Sequence, residues 1–201
     1  EEDKNKMIRE VVNLQIERPK VIAPPPVTTD TQAGGKKGKK KKVEEPVVAD
    51  TPPDTGSTMI PAPASEIAKR ATGWNTAKNK KFAKNNATSA GDKVTCNVVF
   101  PYKPKELNPV NDVEGEISMD VTIECKEGKY RFTINNMKHK AKSDATGGDV
   151  FNETPECGTM KISSQTWKQI RSAALVDGNY VAEDLKAKMS VPLDNKSKDD
   201  W

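Results

Sequence analysis

The chain has one histidine, His139, and three cysteines, Cys96, Cys125 and Cys157. With so few nitrogen and sulfur ligands, and no pair of cysteines at CxxC spacing, a zinc site is excluded as an organising centre. The cysteines are also too few and too scattered for a disulfide scaffold. They read as free buried thiols, with a Cys125–Cys157 bridge as the alternative for an exported chain. Aromatic residues make up only 5% and apolar residues 34% of the chain, while 31% is charged. That balance implies that part of the chain does not join a packed core. No run approaches the ~20 apolar residues of a membrane-spanning helix. No signal peptide opens the sequence, and Glu1 could follow a cleaved one. The net charge of +4 is too small to mark a nucleic-acid footprint. Catalytic motifs are missing as well: there is no GxSxG, HExxH or phosphate-binding glycine loop. Gly147-Gly148 lacks the strand and helix that would make it a phosphate cradle. His139, between two lysines, reads as a solvated strand-end residue, and no catalytic, metal or cofactor residue is assigned.

What the sequence does have is alternation. Ile117, Met119, Val121, Ile123 and Cys125 fall on one face of a strand, with Glu116, Ser118, Asp120, Thr122 and Glu124 on the other. Tyr130, Phe132 and Ile134 continue the apolar face after Glu127-Gly128. A two-residue turn there pairs Cys125 with Tyr130, Ile123 with Phe132 and Val121 with Ile134, so Gly115–Asn136 reads as a β-hairpin. Beyond Asn136 the strand could run on to Lys140 with a changed phase, Met137 and His139 replacing the even positions. A further strand precedes the hairpin, with Val94, Cys96, Val98, Phe100 and Tyr102 on one face.

Two helices flank these strands. The first is capped by Ser65 with Glu66 behind it. Its stripe runs Ile67, Ala71, Trp74 and Phe82, with Lys78 intruding, and polar residues from Asn85 to Asp92 end it. The second is capped by Ser163 or Ser164, with a stripe of Trp167, Ile170, Ala174, Val181, Leu185 and Met189. The stripe stays in phase across Asp177-Gly178, which argues for one long helix with Gly178 on the buried face; two helices broken at Gly178 is the alternative. The order is α-β-β-β-α. An α+β domain over residues 64–192 is expected, two-layered, with both helices on one face of an antiparallel sheet of three or slightly more strands. Residues 1–18 could form a marginal amphipathic helix through Ile8, Val11, Val12 and Gln15. Residues 19–63 hold nine of the 14 prolines and the run Lys36–Lys42, and read with residues 1–18 as an N-terminal extension and disordered linker. Residues 193–201 read as tail. The lysine run is a solvated tether or a contact for anionic polymer or lipid.

The turn Lys126-Glu127-Gly128-Lys129-Tyr130-Arg131, with Tyr102-Lys103-Pro104, Glu156-Cys157 and a helix opening on Trp167, resembles the Bacteroidetes-type family called domain of unknown function 4468. The resemblance covers roughly residues 62–192. It implies a TATA-binding-protein-like α+β fold and export to the cell envelope, in the periplasm or outside the cell, and it brings no activity or cofactor. It also implies a leading strand ahead of the first helix, where this chain has the Pro-rich Thr51–Pro63. Asp120 and Glu124 are paired carboxylates, but alternation spaces them along a solvent face. That acidic line opposes sheet-mediated nucleic-acid binding. The expectation is a non-enzymatic binding or structural module whose partner is a protein, peptide or glycan. Its contacts would lie in loops 103–114 and 143–159; an enzyme with another kind of site is the alternative.

Overall fold

A computed structural model of the chain describes residues 7–17, 59–104, 113–143, 147–156 and 162–193. The chain divides into two units, one of Glu1–Ile16 with Ile60–Trp201 and the other of Glu17–Met59. Of the second, only Glu17 and Met59 are among the described residues. The first unit is α+β: an antiparallel sheet covered on one face by two helices.

The hairpin is its centre. Strands β6 (Gly115–Lys126) and β7 (Lys129–Ala141) pair in the register that alternation dictates: Cys125 opposite Tyr130, Ile123 opposite Phe132, Val121 opposite Ile134. Glu127 keeps an ordinary φ, and Gly128 at φ 69° supplies the left-handed step. Ser118 pairs with Lys138 while Asp120 pairs with Asn135, so Asn136 and Met137 share one partner position. This is a β-bulge. Asn136 takes φ 52° there, a conformation asparagine tolerates. The extra residue moves Met137, His139 and Ala141 onto the buried side, which accounts for the phase change.

The sheet is larger than three strands. Its order is β1-β7-β6-β5-β4, with β8 beside β7, six strands in all. Strand β5 (Lys93–Tyr102) is the one that Val94–Tyr102 foretold. Strand β4 (Ala83–Ala90) lies in the segment whose polarity read as a helix-ending loop. It is the sheet's edge, with nearly all side chains in solvent, so no apolar alternation marks it. Strand β1 (Ile8–Asn13) replaces the expected amphipathic helix. Ile8 and Val12 face inward opposite Ile134 and Tyr130, and Val11 points outward, 58% exposed. Three apolar residues and Gln15 at helical spacing were outweighed by an open edge on β7, which offered ladder hydrogen bonds that an isolated short helix lacks. Two short pieces, β2 (Gln15–Glu17) and β3 (Met59–Pro61), pair with each other. Strand β8 (Gly148–Asp149) interrupts the expected 143–159 loop.

Helix α1 (Ala64–Thr76) starts one residue before Ser65, with Pro63 as its N-cap and no side-chain cap. The carbonyl of Pro63 accepts from the Glu66 and Ile67 amides. The helix ends before Lys78, so that lysine interrupts no stripe. Phe82 reaches the core from the chain leading into β4, its ring 5.1 Å from Phe100 and 6.2 Å from Tyr180. Lys84 closes the helix: its ammonium donates to the carbonyls of Trp74 and Ala77 and lies over the Trp74 ring. Helix α2 (Ser164–Ser190) is one unbroken helix. Ser163 caps it, its hydroxyl accepting from the Thr166 amide at 3.1 Å. A Cβ on Gly178 would lie 2.7 Å from the Met137 methyl and 2.9 Å from Ile8 Cδ1, so the missing side chain admits β7 and β1 against the helix.

Polar clamps join the two helices. Trp74 donates to Asp184 at 2.8 Å, and buried Arg70 pairs with Glu66 and donates to the Met189 carbonyl at 2.9 Å. The hairpin tip is clasped from both sides: the Leu14 amide donates to the Gly128 carbonyl, and the Gly128 amide to the Ala62 carbonyl, each at 2.8 Å. Cys96 and Cys125 are free, buried thiols, pushed up to about 11 by burial. Cys157 and Lys36–Lys42 lie outside the described residues.

Candidate binding surfaces

His139 is a core residue, not a solvated one, with 2% of its surface exposed. The bulge at Asn136 turns it inward. There Nε2 bonds the Val113 carbonyl at 3.0 Å, and Tyr102 meets its ring edge-on at 5.3 Å. Nδ1 is buried without a hydrogen-bond partner. A Cβ on Gly147 would stand 2.3 Å from it and 2.9 Å from the Trp167 ring, so the glycine lets backbone close over the imidazole. Burial holds its pKa below the usual value. Its neutral imidazole pins Val113 to β7, a structural task. Both expected contact loops leave from this end of the sheet, since Tyr102, Gly115 and Ala141 are register partners in turn. Lys142 ties their bases together, through its amide to the Glu114 carbonyl and its ammonium to the Glu114 carboxylate. Residues 105–112, 144–146 and 157–161 of these loops lie outside the described residues.

The helix-free face of the sheet carries Asp120 and Glu124 as alternation requires. Asp120 accepts from Asn97 at 2.9 Å and Asn136 at 2.8 Å, and Glu124 pairs with Arg131. Four strand residues separate them by about 13 Å, too far for two carboxyls to act on one bond. The face as a whole is not acidic. The line Glu116, Asp120, Glu124 ends on Lys126 of the same strand, and the other strands bring Arg9, Lys93, Lys129, Arg131, Lys138 and Lys140 to the same side. Sequence alternation identified which residues face out, but one strand could not reveal its neighbours' charges. Across the middle run Thr88, Thr95, Thr122 and Thr133, register partners in turn. The face is thus built of threonine, asparagine and charge.

A groove of about 530 Å³ runs along α2 beside the end of β5. Pro101, Tyr102 and Lys103 form one wall; Gln169, Ser172, Ala173, Val176 and Asp177 form the other. Val176 is 64% and its neighbour Leu175 45% exposed. Burial pushes the Asp177 carboxyl up to about 6, against the pull of the Lys81 charge. Lys81 itself lies 4.0 Å above the Tyr180 ring. The core stripe of α2 gives no hint of this surface. Leu175 and Val176 lie off that stripe, and a second spacing, Gln169-Ala173-Val176, marks the groove wall.

No family model and no curated protein matches the chain. In structure it is similar to a DUF4468 family protein from Bacteroides ovatus. The likeness covers 65% of this chain and 80% of that one, at 11% identity and a TM-score of 0.40. That family is the one the Lys126–Arg131 turn resembles. At this degree of similarity it assigns no activity, and the functional reading rests on the surfaces themselves.

Proposed function

We propose that the domain is a non-enzymatic binding module of the bacterial cell envelope, engaging a protein or peptide in the groove between α2 and the end of β5. One observation carries the reading: Val176, an apolar side chain 64% exposed, lines a concave surface of ligand-binding size. Solvated apolar side chains beside a groove gain free energy when a partner covers them. The notable polar groups elsewhere serve the fold. His139 holds Val113, Asp120 binds two asparagines, and Glu124 binds Arg131. A protein or peptide is favoured over a glycan, because the groove offers aliphatic contact rather than an open aromatic platform.

The architecture, one sheet with helices on a single side, is proposed as TATA-binding-protein-like. Specific nucleic-acid binding is not proposed with it. The open face presents threonine and asparagine where minor-groove binders use apolar wedges. Placement in the envelope rests on the family resemblance of the Lys126–Arg131 turn. An export signal encoded ahead of Glu1 would support it, and a cytoplasmic fractionation pattern would remove it. The groove is tested by selecting displayed peptides on the folded chain, with Val176→Asp as the counter-screen. Enriched peptides should bind the parent and lose at least tenfold in affinity to the variant. Enrichment indifferent to Val176 would defeat the reading.

A further inference from the structure

A second surface lies at the turn end of the open sheet face, independent of the α2 groove. Lys126 and Lys129 are direct cross-strand partners on that face. Like charges in this arrangement destabilise a hairpin. Neither lysine forms an ion pair among the described residues. The fold does not need them: the turn is held by Gly128 and its backbone clasp to Leu14 and Ala62, and the core by Tyr130. An uncompensated repulsion that serves no packing purpose calls for a counter-charge from outside.

The surroundings fit one. Both lysines line a cavity of about 320 Å³ with Lys93, Arg131, Tyr130 and Val11. Its acids are Asp92 and Glu124, and Glu124 is already taken by Arg131. The four bases therefore exceed the acids by two. Val11, 58% exposed on the outer side of β1, gives the cavity an apolar wall.

We propose that this cleft binds a small organic anion, a carboxylate or phosphate carried on an apolar body. The anionic group would sit between Lys126 and Lys129, with the apolar part against Val11. A cavity of this volume suits a small molecule rather than a macromolecular surface, and the apolar wall favours an organic anion over a bare inorganic one.

The test uses the full chain, with phenylacetate, phenyl phosphate and inorganic phosphate as probes and Lys126→Glu and Lys129→Glu as variants. Both lysines are exposed, so the variants should fold. Amide shifts at Val11, Lys126 and Lys129 should move with millimolar phenylacetate and phenyl phosphate, at least tenfold more tightly than with inorganic phosphate. Either charge reversal should abolish that response. In the absence of probe it should instead raise Tm by about 1–3 °C, because it turns a repulsive pair into an attractive one. Binding that survives the reversals, or reversals that leave Tm unchanged or lower, would overturn the proposal. So would a preference for inorganic phosphate, which would mark a generic anion sink. Tighter, steeply salt-dependent binding of a short DNA duplex would also overturn it, in favour of a nucleic-acid surface.

Discussion

Two buried or half-buried titratable side chains, His139 and Asp177, make opposite demands on pH. Burial lowers the His139 value, so the unfolded chain takes the proton first as pH falls. Its contribution to stability is full above about 6.5, the free value, and is lost as pH drops from there through the folded-state value. Asp177 runs the other way. Its folded value of about 6 lies above the ordinary 3.8, so its contribution is full below the ordinary value and lost as pH rises through about 6. Urea unfolding across this range separates them. His139→Gln should flatten the loss of stability on the acid side. Asp177→Asn should add about 1 kcal/mol near pH 8 and little near pH 4, a figure reduced for the half-exposed position. A variant whose difference from the parent does not change with pH would show that its residue does not titrate this way. Of the two, only His139 stood out in the sequence, and its environment was misjudged there. Its flanking lysines mark the outward side, while the bulge at Asn136 turns the histidine inward.

Elements with their own alternation were legible; elements completed by others were not. Strands β5, β6 and β7 each carry an apolar face, and α2 carries a stripe long enough to bridge Gly178. The register of β6 on β7 near the turn followed from residue type alone, and of the two readings left for α2 the structure has the single helix. Strands β4 and β1 have no such signature. Nearly every β4 side chain is solvated, and β1 gains its strand identity from the unpaired edge of β7, nearly 120 residues along the chain. The distant pairing has a measurable consequence. Removing residues 1–14 takes away the inward Ile8 and Val12, the buried Leu14, and the Leu14–Gly128 clasp. The loss should be about 3–5 kcal/mol in chemical denaturation, from three apolar side chains and an exposed β7 edge, together with a tendency to associate through that edge. If residues 1–14 were only a tether, the unfolding midpoint would not move.

At the scale of the whole molecule, the sheet divides the chain's tasks. Its inner face and both helices form the core. One end gathers the bases of two loops around His139, and the other end gathers the lysines of the hairpin tip. The groove along α2 leaves Val176 in water beside a concave wall. The sequence showed the layers but not the groove, because a groove is a relation between β5 and α2 and neither segment carries a motif for it. The most direct test of the account is a map of amide shifts on the folded chain with a groove-selected peptide added. Perturbations should cluster at Lys103, Ala173, Val176 and Asp177, leave Lys126 and Lys129 unmoved, and disappear in Val176→Asp while that variant keeps the parent's Tm. Shifts centred elsewhere, or undiminished in the variant, would contradict the account.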